Sequence, residues 1–300
     1  MRQWGTPLTT SSNLVSALRA AIIALYEGPA YLWIKAALYA LLLANFGYYL
    51  FEDWSRTSFS LTEAASSYDW MREFNTSLDE VAWFTLLLIF ELETYVLDDS
   101  GWSPGSARIV LLIKLITFCL IGHTLYVNFT ALTEILGPVS ASTASDLCEL
   151  ADTGQSWSFN LDYTVITSET CDALPQAPQY WEMPREPVVT SSAGLELARR
   201  LAWCDFMETA AWLSVGAAME AAIRITDRGV TSGYAVMALG WMKFALYALI
   251  LALGIYWAYY GHWVYLWDEF LWIFGFAFLE VNLDGWRGEI DNEVAGELSN

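Results

Sequence analysis

Asp205 and Glu208 stand three residues apart in a largely apolar run, which puts both carboxylates on one face of a helix. Acidic side chains inside a membrane-spanning helix mark proton or cation pathways, because hydrocarbon does not tolerate an idle charge. Two neighbouring carboxylates also oppose each other's charge, which suits a proton relay. Further along the same run, Glu220 and Arg224 are four apart and can pair on one face. Glu91, Glu93 and Lys114 occupy other apolar stretches, as do Lys35, Lys243 and Glu280. These ten residues form the candidate intramembrane charge network.

The two lysines are linked by a repeat. Trp33-Ile34-Lys35-Ala36-Ala37-Leu38-Tyr39-Ala40-Leu41-Leu42-Leu43-Ala44 returns as Trp241-Met242-Lys243-Phe244-Ala245-Leu246-Tyr247-Ala248-Leu249-Ile250-Leu251-Ala252, with nine of twelve positions identical. The helix after each copy carries the pattern Asp-Glu-x-x-Trp-x7-Glu, as Asp79 to Glu91 and as Asp268 to Glu280. Ala20-Ala21-Ile22 and Gly28 align more weakly with Ala221-Ala222-Ile223 and Gly229. Each lysine thus has a glutamate on the next helix, and the expected pairs are Lys35–Glu91 and Lys243–Glu280, since a buried charge without a partner is costly. A depth mismatch of about 8 Å, at about 1.5 Å rise per residue, has to be closed by tilt or lysine length.

A static alternative exists for each group. The lysines could snorkel to the interface while their glutamates end in water. Arg199, Arg200 or Lys114 could simply neutralise Asp205 and Glu208. His123 and His262 come without a haem signature, and the cysteines are too dispersed for a tetrahedral metal site. No phosphate loop, nucleophile elbow or zinc-protease motif occurs, so no cofactor, metal ligand or catalytic residue is expected, and an enzyme is not favoured. Asn75-Thr76-Ser77 and Asn128-Phe129-Thr130 fit the glycosylation pattern, which arises often by chance.

Six apolar helices would position these residues: Ala30 to Phe51, Leu78 to Leu97, Ala107 to Leu136, Leu195 to Thr226, Gly233 to Tyr260 and Val264 to Val281. Each approaches or exceeds the roughly 18 residues needed to cross a hydrocarbon core. A short helix over 12–27, stopped by Gly28-Pro29, precedes them, and an amphipathic helix is expected around Leu61 to Phe74. The expected fold is therefore an all-α integral membrane protein with a parallel internal repeat of three, one and three elements. The segments are 1–97 (first repeat), 98–136 (linking helix), 137–193 (cap), 194–283 (second repeat) and 284–300 (acidic, solvated tail). Cys148 and Cys171 share the cap and are expected to form a disulfide there, outside the cytoplasm. Alternation over Trp157 to Tyr163 suggests a strand, paired with Thr164 to Thr167 or with the cysteine flanks.

Composition sets the class. Hydrophobic residues make up 56% of the 300 and charged ones only 16%, with mean hydropathy +0.36, too apolar for a soluble domain of this length. Sixteen Trp and sixteen Tyr suit the membrane interface. A net charge of −20 with only 14 Lys and Arg excludes nucleic acid and a polybasic lipid anchor, leaving the bilayer and a cation or proton as partners. No cleavable leader is evident at residues 1 to 12. The distribution of basic residues favours cytoplasmic termini and an extracytoplasmic cap in a plasma membrane of bacterial type. The expected function is a channel or transporter for a small cation or proton. The alternative is a non-catalytic accessory or scaffold subunit, with a homo-oligomer or a membrane complex as its setting.

Overall fold

α1 (Ala30–Ser60) is built from Ala, Leu and Tyr and continues past Glu52-Asp53, where the first span is expected to close. The continuation is explained by Asp53, whose Oδ2 accepts from the backbone N–H and hydroxyl of Ser77 at 2.9 and 2.7 Å. Ser77 lies in the first turn of the next long helix, where free N–H groups and the helix dipole welcome a carboxylate. The computed structural model describes residues 30–61, 65–96 and 103–298, and the chain divides into two compact units, Met1–Ala44 and Asn45–Asn300. The expected helix over 12–27 lies outside the described residues.

α2 (Ser67–Glu73) is shorter than expected because a capping box fixes its start: Ser66 accepts from the Asp69 N–H, and the Asp69 carboxylate accepts from the Ser66 N–H. These Ser66 bonds also hold the exposed Asp69 below the usual carboxylate range. α3 (Asn75–Glu91) follows and ends in a π-helical turn, Leu92–Val96. α4 (Pro104–Leu136) is capped by Ser103, with proline in its first turn, where no N–H is required. α5 (Ser192–Asp227), α6 (Tyr234–Tyr259) and α7 (Trp263–Leu298) complete the helical part.

Three of these helices are long and apolar enough to cross a membrane: Tyr31–Ser60, Pro104–Leu136 and Tyr234–Tyr259. Their outer faces leave Ile109, Leu115, Trp241 and Phe244 mostly exposed, as expected of surfaces meant for lipid rather than water. α3, α5 and α7 alternate with them and carry the carboxylates. α7 runs further than the expected span: residues 284–298 continue the helix, and most of those up to 296 are exposed. Arg287 donates to Thr226 Oγ1 (3.0 Å) and Thr231 to Asp291 (2.6 Å), which docks this stretch against the α5–α6 connection.

The segment between α4 and α5 adds a four-stranded sheet to the expected all-α fold. Its strands are β1 (Ser156–Phe159), β2 (Asp162–Val165), β3 (Tyr180–Glu182) and β4 (Val188–Ser191), in the order β2-β1-β4-β3. β1 pairs antiparallel with β2 and parallel with β4, and β3 pairs antiparallel with β4. The run Trp157 to Tyr163 is thus a hairpin, not one strand. Asn160 and Leu161 adopt φ of 55° and 65°, the left-handed pair that a tight two-residue turn requires. Asn160 secures the turn by donating to the Tyr260 carbonyl (2.9 Å), with His262 Nε2 3.2 Å from its Oδ1.

Leu147, Trp157, Ile166, Tyr180 and Val189 form the core of this cap around the Cys148–Cys171 disulfide. The bridge closes a loop with sequence separation 23. Replacing both cysteines by alanine is expected to cost the cap about 3 kcal/mol. Thermal unfolding of the double variant in detergent checks this, and an unchanged midpoint would show that the small core alone suffices.

Candidate functional site

The second unit encloses a funnel of about 340 Å³ that runs from the cap into the helices. Along α5 its wall extends from Ala198 to Trp212, which spans about 21 Å at about 1.5 Å per residue. Leu161, Met183, Pro184 and Glu186 of the cap line one end, and Trp212, Trp272 and Glu269 the other. Asp205 and Glu208 both face into it, as their spacing predicts. Their companions, Asp79 and Glu80 from α3 and Asp268 and Glu269 from α7, are not among the ten residues singled out by sequence.

Five of these six carboxylates accept from a neutral N–H donor. Trp272 Nε1 donates to Glu80 (3.2 Å), Trp212 to Glu269 (2.8 Å), Trp257 to Glu208 (3.0 Å) and Trp83 to Asp79 (3.0 Å). Asn45 Nδ2 donates to Asp268 Oδ1 at 2.5 Å. Indole nitrogen can only donate, so the direction of these bonds is certain. Neutral donors orient a carboxylate without cancelling its charge. Among the described residues, no ion pair involves Asp79, Glu80, Asp205, Glu208, Asp268 or Glu269. Two carboxyl–carboxyl contacts form the floor, Glu80 with Asp268 and Glu208 with Glu269. Each such pair needs an intervening positive charge, supplied by a proton or a cation. Glu80 is 5% exposed, and its Oε2 lacks a hydrogen-bond donor.

The mouth differs from the floor because its acids are paired. Glu134 meets Arg185 at 2.6 Å and Arg72 at 3.7 Å, while Glu73 meets Arg56 at 3.4 Å. Glu186 sits beside this cluster on the β3–β4 connection. Burial pushes its carboxyl from 4.5 up to about 7, with Arg56 opposing and Glu73 adding to the rise. A carboxyl raised on folding binds more protons in the folded state, so its contribution to stability falls as pH climbs from about 4.5 to about 7. Glu186→Gln is expected to remove that fall, and the variant gains on the parent between pH 5 and pH 8. Unfolding midpoints at the two pH values check this; a constant difference would refute it.

No family model matches this chain, and no curated protein or solved structure matches it. Function must therefore be argued from the site itself.

A second charged cluster joins four of the residues singled out by sequence. Lys114 Nζ reaches Glu93 at 2.6 Å and Glu220 at 2.5 Å, and Arg224 meets Glu220 at 2.6 Å. These residues line a separate cavity together with Trp286. Lys243 and Glu280 are in contact at 2.5 Å, as their place in the pattern suggests. Glu91 accepts from Asn282 at 3.3 Å. Lys35 belongs to the first unit, with its ammonium 5.4 Å from the Tyr31 ring centroid, so the Lys35–Glu91 pair stays an expectation.

Arg199 and Arg200, the static partners considered for Asp205 and Glu208, lie elsewhere. Arg199 donates to the Ile135 carbonyl and Arg200 pairs with Glu196. Both glycosylation-type asparagines line the funnel, Asn75 donating to Asn128 at 3.4 Å. His262 stacks on Tyr265 at 5.3 Å, whereas His123 packs against Tyr68 at 6.3 Å.

The signal for the missed acids was present in the repeated Asp-Glu-x-x-Trp. It encodes carboxylates together with indoles, and the Trp272–Glu80 bond crosses from one copy to the other. Trp212 of α5 supplies the donor for Glu269, while Trp83 turns to Asp79 on its own helix.

Proposed function

We propose that this chain is a multi-pass membrane protein that admits a small cation or proton from the cap side and carries it across the bilayer. The observation that supports it most is the funnel floor, where six carboxylates gather without a basic partner among the described residues. Charges of this kind at membrane depth mark transport pathways by default. In this reading α3, α5 and α7 are spans as well, giving six, and their charged faces turn inward while α1, α4 and α6 meet lipid. The repeat is read as parallel, and its two acidic helices, α3 and α7, both line the site. Both termini are cytoplasmic and the disulfide-bearing cap lies outside.

The test is flux in liposomes loaded with a pH dye or with sodium and potassium indicators. Glu80→Gln and Glu208→Gln are each expected to reduce carboxylate-dependent flux to the level of protein-free liposomes, with Asp205→Asn intermediate. Glu196→Gln, outside the funnel, keeps the parent rate. Flux that is unchanged in all the funnel variants would sink the reading in favour of a non-catalytic accessory subunit.

A further inference from the structure

The funnel has more room than an inorganic ion needs. Its volume of about 340 Å³ equals that of roughly ten waters, at about 30 Å³ each, and falls in the range of small-molecule pockets. A divalent metal calls instead for several converging oxygens. Among the described residues, the one group of three metal-type donors gathered within 4.8 Å is Cys148, Cys171 and Asp172, where both sulfurs are already in the disulfide. The floor therefore offers carboxylates in pairs, not a cage.

Its other walls are aromatic. Tyr49, Trp257, Tyr265 and Trp272 line the same space as Glu80 and Glu208. Ring faces attract organic cations and accept apolar chain atoms. The buried Glu80 adds an independent sign of a ligand, since its donorless Oε2 borders the cavity beside Asp268. An ammonium group carries three N–H donors and can bridge two carboxylates at once. Glu208 and Glu269 line the same cavity as Glu80 and Asp268.

We propose that the funnel binds a primary organic amine in its ammonium form, a short linear diamine above all, with one ammonium on Glu80 and Asp268 and the second on Glu208 and Glu269. The aliphatic chain between them rests on the aromatic wall. The assignment rests on reading the funnel as a cation site and narrows the cation's class.

Four indoles report on the site directly, so the experiment is tryptophan emission of the detergent-solubilised protein titrated with 1,4-diaminobutane at constant ionic strength. A saturable change is expected with the diamine, and none with sodium chloride or calcium chloride. Glu80→Gln and Glu208→Gln should weaken it about tenfold or more, the cost of one charge-assisted hydrogen bond, while Glu196→Gln leaves it intact. The unmodified protein should also melt higher as diamine is added, a readout that needs no variant to fold. No saturable change and no shift in melting, an equal response to calcium chloride, or a response that survives Glu80→Gln overturns the proposal. Carboxylate-dependent proton or sodium flux without any amine response defeats this inference and leaves the proposed function standing. Saturable amine binding without flux of any cation does the opposite.

Discussion

Replacing Lys114 by methionine is expected to lower the unfolding free energy by about 3 to 5 kcal/mol, because two carboxylates lose the cation between them. The ammonium is nearly enclosed, with a side-chain exposure of 6%, and bridges Glu93 of the π-turn to Glu220 of α5. It also lies 5.3 Å from the Phe90 ring centroid. Among the described residues, Arg224 pairs with Glu220 and is itself 55% exposed, so it cannot replace the bridge. The cost comes from stranding charge, not from losing an attraction. Lys114→Met combined with Glu93→Gln and Glu220→Gln should therefore recover most of the stability. Denaturant unfolding in mixed micelles measures both, and a triple variant no more stable than the single one would contradict the account.

Trp212→Ala should be comparably severe, at about 3 to 5 kcal/mol, the usual cost of deleting a large buried aromatic. Trp212 joins Trp83 and Phe276 in a three-ring cluster with centroids 5.6, 5.6 and 5.8 Å apart, and Tyr247 adds a fourth edge at 6.4 Å. The packing is close enough that a Cβ at Gly216 would stand 3.2 Å from the Trp83 ring, which is why α5 carries glycine there. The indole also provides the hydrogen bond to Glu269. Trp212→Phe keeps a ring but leaves that oxygen without its donor, and should cost about 1 to 3 kcal/mol. Melting temperatures of the two variants separate packing from hydrogen bonding. Equal losses would mean that the ring cluster contributes little.

Lys243–Glu280 was legible because both residues sit in aligned copies of a pattern, and a buried charge restricts the choice of partner to whatever lies on the neighbouring helix. The Cys148–Cys171 bridge was legible because two cysteines share one polar segment. Lys114 was not assigned to Glu93 and Glu220, because its helix stands between the two repeats and has no second copy to mark its partners. The alternating run from Trp157 to Tyr163 could not reveal its own break, because Leu161 is a poor turn residue by type. Tertiary bonds from Asn160 to the α6–α7 connection hold the chain in the left-handed region there.

Apolar period, length and charge scarcity determined the helices and three span-length segments, since these depend only on local composition and on the distance a helix covers per residue. They also determined that Asp205 and Glu208 share a face. Which face points inward, and which other carboxylates it meets, was decided by the packing of α3 and α7 against α5. Asp79, Glu80, Asp268 and Glu269 lie far from Asp205 in sequence and carry no spacing that links them to it. Only the convergence of three helices turns isolated acids into one funnel floor, because repulsion between carboxylates acts through space and leaves no period in the chain.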